Sequence, residues 1–180
     1  MLRRVLAGGL IAPFALAMAI GTLGLARADS NAAAADYTKI TPAQLVSDTP
    51  KGKLVNPYKD TQADIVAQGS KLFQGYACSG CHGGGGGGGM CPPLINDIWV
   101  YGGDDDTLFR LVTLGSDGLQ KQGYSRIGHE NVVGPMPAMG PLIKTADDLW
   151  KVLAFIRSKY NGDPASKFGQ PPEAPPPLNP

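Results

Sequence analysis

An all-α fold is predicted for this chain from three features. Apolar residues recur at helical spacing over residues 61–76 and again over 145–160. Each run opens on a Thr-x-x-Asp pattern, Thr61 to Asp64 and Thr145 to Asp148, the capping signature that starts helices. Between them the chain is heavily punctuated, with 25 Gly and 16 Pro in 180 residues, so its remaining helices must be short.

Residues 1–28 read as a secretory signal. Arg3 and Arg4 precede an apolar run from Val5 to Leu25, and Ala26-Arg27-Ala28 supplies an A-x-A cleavage site. The run approaches the roughly 20 residues that span a bilayer, but Pro13 and its glycines weaken a permanent anchor. Cleavage after Ala28 places the mature chain in the periplasm, with no membrane attachment. Loss of Arg3, Arg4 and Arg27 takes 16 basic residues to 13 against 15 acidic ones, a net charge of −2. No basic stripe is present, which argues against nucleic acid as a partner.

Residues 29–60 form an N-terminal extension of low information. An alanine run from Ala32 to Ala35 and prolines at 42, 50 and 57 exclude a long helix. The segment is expected to be partly disordered and partly draped over the domain that follows, residues 61–162. In the first predicted helix Ile65, Val66, Gly69, Leu72, Phe73 and Tyr76 share the apolar spacing. Gly69 in mid-helix costs about 1 kcal/mol against alanine. That cost has a packing reason if another helix approaches there.

Cys78-Ser79-Gly80-Cys81-His82 carries the chemistry. C-x-x-C-H is the attachment signature of c-type haem. Two thiols three positions apart lie on one helical turn and can add to both vinyl groups of one porphyrin. The adjacent His82 then meets the iron through a neutral imidazole nitrogen. A thioredoxin-like pair would want a βαβ setting, and a zinc site a second ligand pair. Only Cys91 and His129 remain as further Cys or His. Attachment outside the cytoplasm agrees with the signal segment.

Gly83 to Gly89 are seven consecutive glycines. No Lys-Ser/Thr follows, so this is not a phosphate-binding loop. A flexible loop along the haem edge is expected, with a side-chain-free rim for a partner as the sharper reading. In Cys91-Pro92-Pro93-Leu94, a proline-bearing turn is expected to place a backbone carbonyl, that of Pro92 by preference, on the far nitrogen of His82 and set its tautomer. Cys91 is read as a buried free thiol, with an intermolecular disulfide or a redox-sensitive site as alternatives. Trp99 and Tyr101 are core residues or hydrogen-bond donors to the haem propionates.

Asp104-Asp105-Asp106 precedes a short helix from Thr107 to Val112, where acidic residues complement the positive end of the helix dipole. A calcium site would need more oxygen ligands. Residues 115–134 read as a glycine-rich loop, with Tyr124 and Arg126 as weaker propionate candidates and His129 solvated. Gly134-Pro135-Met136-Pro137-Ala138-Met139-Gly140-Pro141 is a stiff, extended strap. Met136, clamped by proline on both sides, is the predicted sixth iron ligand, since a soft thioether raises the potential relative to a second imidazole. Met139 is the runner-up, or ordinary core. Met90 lies too near the attachment helix, and His129 would make a bis-histidine centre.

Leu149, Val152, Leu153, Ile156 and Tyr160 line one face of the last helix, with Trp150 and Phe155 beside it, and Asn161-Gly162 ends it. The two long helices are expected to cross at Gly69, with Phe73 and Phe155 nearby. A core of about a hundred residues is small, and haem would complete it. Residues 163–180 form a Pro-rich, disordered or polyproline-like tail.

The C-x-x-C-H segment, the Cys91-Pro92-x-Leu94 turn, the Met136-Pro137-Ala138 strap and the two crossing helices together resemble a class I monohaem cytochrome c over about residues 61–160. Within that class, Met90 to Asp97 and Gly134 to Pro137 resemble the methanol-metabolism-related c-type cytochromes and the cytochrome c-L group. Cys91 stands where many relatives have Gly, and Met139 where they often have Phe. The resemblance implies a one-electron carrier rather than an enzyme, holding one covalent haem c. It also implies a quinoprotein methanol dehydrogenase as donor and another cytochrome or an oxidase as acceptor. The competing class is a haem enzyme or small-ligand sensor in which Met136 dissociates; a third is a haem domain that only scaffolds a larger complex.

Overall fold

The computed structural model describes residues 36–130 and 133–169. The predicted signal segment and the end of the Pro-rich tail lie outside the described residues. Among the described residues five helices run in order: α1 Pro42–Asp48, α2 Ala63–Gly75, α3 Cys78–His82, α4 Asp105–Lys121 and α5 Ala146–Lys159. A 3-10 turn, Pro164–Ser166, follows them. No strand occurs among the described residues.

α5 is the centre of the core. Leu149, Trp150, Val152, Leu153, Ala154, Phe155 and Ile156 are all buried, so the helix is covered around most of its circumference rather than along one stripe. Thr145 caps it, its hydroxyl accepting from the Asp148 amide at 3.1 Å. α2 packs against α5 at very short range. A Cβ built on Gly69 would overlap the Lys151 carbonyl and stand 2.9 Å from the Phe155 Cβ. One turn along, the Phe73 and Phe155 rings lie 5.3 Å apart between centroids. Tyr76 ties the far end of α2 to the start of α5, donating to Asp148 at 2.6 Å.

The Thr61 cap is not formed. α2 starts at Ala63 with Gln62 at the cap position and no side-chain cap bond, because Gln62 instead accepts from the Lys59 amide at 2.7 Å. Asp64 remains in the first turn, where it complements the dipole.

The segment before α2 is more integral to the core than the sequence suggested. Pro42 opens α1, and Leu45, Val46 and Leu54 are buried. The carbonyls of Tyr37 and Ile40 accept the amides of Asp147 and Ala146 at 3.0 and 2.8 Å, two donors that the first turn of a helix leaves free. Arg110 caps the other end of α1, donating to the carbonyls of Val46 and Thr49 at 3.3 and 2.7 Å. Asp106 accepts from the amides of Lys53 and Leu54 at 3.1 and 3.0 Å and pairs with Arg110 at 2.9 Å. Of the acidic run, then, Asp104 caps α4 through Thr107, Asp105 pairs with Arg157, and Asp106 pairs with Arg110. The run does more than complement a dipole.

α4 also runs further than expected. It continues to Lys121, but Gly115 within it has φ 71° and ψ 174°, a left-handed break that favours glycine. The helix is therefore two pieces meeting at a corner.

Candidate haem site

A cavity of about 610 Å³ opens beside α3, within the size range of cofactor sites. Cys78, Cys81, His82, Pro92 and Met136 all line it, so residues from α3, the loop after it and the strap come together there. Leu94, Val100, Leu108 and Leu111 contribute apolar wall.

The chain enters α3 through Ala77, a non-glycine residue at φ 60°, which turns it sharply out of α2. Cys78 and Cys81 then sit one turn apart, both half-buried. Burial pushes the Cys78 thiol above its ordinary pKa. His82 closes the helix with its Nδ1 2.8 Å from the Pro92 carbonyl oxygen. A carbonyl only accepts, so Nδ1 carries the proton and Nε2 keeps its lone pair for a metal.

The glycine run is a built loop rather than a slack one. The Gly88 amide donates to the His82 carbonyl at 2.9 Å, Cys91 to Cys81 at 3.0 Å, and Leu94 to Gly86 at 2.7 Å. Gly83, Gly86 and Gly88 hold positive φ, which a run of larger residues would resist. This reversal brings Pro92 back over His82. Cys91 is half-exposed rather than buried, and its thiol interacts with that of Cys81.

The strap supplies the other side-chain sulfur. Met136 and Met139 both line the cavity, but Met139 also packs on the hydrophobic core, whereas Met136 is not part of that packing. Met90 is 60% exposed at the rim. His129 is exposed and not among the lining residues.

Of the propionate candidates, Trp99 spends its indole N–H on the Ser166 carbonyl at 2.8 Å and Tyr124 donates to Asp106 at 2.8 Å. Tyr101 accepts from Gln120 at 2.7 Å, so its own proton remains available in the lining beside Arg126. Gln120 was missed in the sequence because it lies past the glycine taken as the end of its helix. Thiols one turn apart, an imidazole with one committed nitrogen, a thioether and an apolar wall with a few polar groups fit a covalently held haem. Among the described residues no cluster of three His, Cys, Asp or Glu side chains offers a competing metal site.

No curated protein matches the chain. It is similar to the solved cytochrome c-L of the marine methylotrophic bacterium Methylophaga aminisulfidivorans, with 26% identity and a TM-score of 0.46. The similarity covers 61% of this chain and 63% of that one, less than two thirds of its length. Residues 66–159 match the family model of cytochrome c. With that match over an all-helical domain and a cavity suited to its cofactor, the chain belongs to the cytochrome c family, with the class I fold and haem c as its cofactor.

Proposed function

We propose that the protein is a periplasmic one-electron carrier that takes electrons from a quinoprotein methanol dehydrogenase and passes them to another cytochrome or a terminal oxidase. The observation that carries the reading is the meeting of Cys78, Cys81, His82, Pro92 and Met136 on one cavity. Cys78 and Cys81 would hold the haem covalently, His82 and Met136 would ligate its iron, and the Pro92 carbonyl orients His82. Bound haem supplies the one-electron Fe(III)/Fe(II) couple. With His82 and Met136 both ligating, the bound iron would offer no coordination site to a substrate. Apolar walls exclude water, which limits the reorganisation that accompanies electron transfer.

Met90 and Val133 line the cavity and are 60% and 79% exposed, which gives a partner protein an apolar rim to cover. The methanol dehydrogenase assignment rests on the loop sequences around Met90 to Asp97 and Gly134 to Pro137. Export rests on the first 28 residues, with the mature chain beginning at Asp29. Stopped-flow mixing of the oxidised holoprotein with purified methanol dehydrogenase tests the donor: rapid haem reduction is expected. Reduction no faster than spontaneous decay would overturn it. N-terminal sequencing of the periplasmic protein tests export.

A further inference from the structure

Ser116 grips the backbone of Met136 from both sides. Its amide donates to the Met136 carbonyl at 2.9 Å, and its hydroxyl accepts the Met136 amide at 3.0 Å. Ser116 is itself 6% exposed.

The break at Gly115 makes this possible. In an unbroken helix the Ser116 amide would donate to Val112 and the Asp117 amide to Thr113. The positive φ at Gly115 turns the chain away, and the Ser116 amide and the Val112 and Thr113 carbonyls serve the strap instead. The Met139 amide donates to the Val112 carbonyl at 2.9 Å, and Gly140 to Thr113 at 3.1 Å. The fit leaves no room at the corner: a Cβ on Gly115 would lie 2.6 Å from the Ala138 nitrogen and 2.7 Å from the Met136 oxygen. Prolines at 135 and 137 have no amide hydrogen, so Met136 carries the one N–H of that tripeptide, and Ser116 takes it.

We infer that Ser116 is a positioning residue that holds the Met136 thioether on the iron and so keeps the axial site closed to small ligands. The inference rests on Met136 being the sixth ligand. Prolines restrict the strap's internal freedom, but they do not attach it to the domain; the Ser116 pair does so at the ligating residue itself. Removing the hydroxyl leaves a part-buried amide without its acceptor, a loss of the order that shifts an equilibrium about tenfold.

The test uses the holoprotein. In Ser116→Ala the thioether–iron charge-transfer band of the oxidised form should weaken. Carbon monoxide binding to the reduced form should become about tenfold more extensive, with the far-ultraviolet helical signal unchanged. Ser116→Thr, which keeps the hydroxyl, should restore both. Met136→Ala separates the two ideas. If it retains the band, Met136 is not the ligand and the underlying reading fails. If it abolishes the band while Ser116→Ala leaves band and carbon monoxide resistance at wild-type levels, the ligand stands and the role of Ser116 is overturned. Should Ser116→Ala not fold, Ser116→Cys, which offers a poorer acceptor in similar volume, must show the same two changes.

Discussion

Gly69 lies directly beneath the carbonyl of Lys151, so close that the α2–α5 contact has no space for a single methyl group. The glycine's cost within α2 is the condition for bringing Phe73 onto Phe155.

Gly69→Ala is therefore expected to lower holoprotein stability by about 1–3 kcal/mol through overpacking. The site lies away from the cavity, so the visible spectrum should stay as it is. Denaturant unfolding measures the difference. A change below about 0.5 kcal/mol, the size of an ordinary surface substitution, would mean the helices do not meet there.

Asp106 is expected to contribute to acid stability. Burial raises its pKa, but the Arg110 guanidinium, the backbone amides of Leu54 and Lys53 and the Tyr124 hydroxyl together hold it below the ordinary carboxylate value. A depressed folded pKa contributes stability above the unfolded value of about 3.9, and this is lost as pH falls through the folded one. Asp106→Asn should cost about 3–5 kcal/mol at neutral pH, since Arg110 is left buried without its partner. It should also flatten the fall in stability below about pH 4. Urea midpoints measured from acid to neutral pH decide this; parallel curves for the two proteins would assign the acid limb to other groups.

Cys78 and Cys81 should act independently as anchors. Cys81→Ala is expected to keep its pigment through denaturation, with one vinyl group unsaturated and the reduced pyridine complex shifted to longer wavelength. Replacing both cysteines should release all pigment into acidic acetone. Pigment retained by the double variant would contradict the assignment.

With both anchors used, Cys91 is the remaining thiol of three. Burial pushes its pKa up, so alkylation should be slow at neutral pH and quicken towards alkaline pH. Mass analysis should find one adduct on the holoprotein and none on Cys91→Ser. Absence of an adduct on a chain of doubled mass would instead indicate an intermolecular disulfide.

The attachment motif, the Met136 strap and the two long helices were legible in the sequence because each is a local pattern. Spacing along one turn puts Cys78, Cys81 and His82 together, proline stiffens its own neighbours, and period 3.6 marks a helix face. Three features were not legible, for one common reason. Residues 36–56 look uninformative, yet they serve the free amides of α5 and the buried charges of α4, partners about fifty to a hundred positions away. The glycine run looks slack, but its conformation is set by bonds to Cys81 and His82. Gly115 looks like a helix end, and the chain resumes its helix beyond it.

By itself the sequence marked the helices that became α2 and α5, the proposed haem anchors and the two candidate sulfur ligands, since these follow from residue type and short-range geometry. Only the tertiary structure showed that Met139 packs on the core while Met136 does not, and only it showed what holds the strap. A break at Gly115 frees helix groups whose partners arrive from residues 136–140, and no local rule specifies which distant segment will take up a freed hydrogen bond.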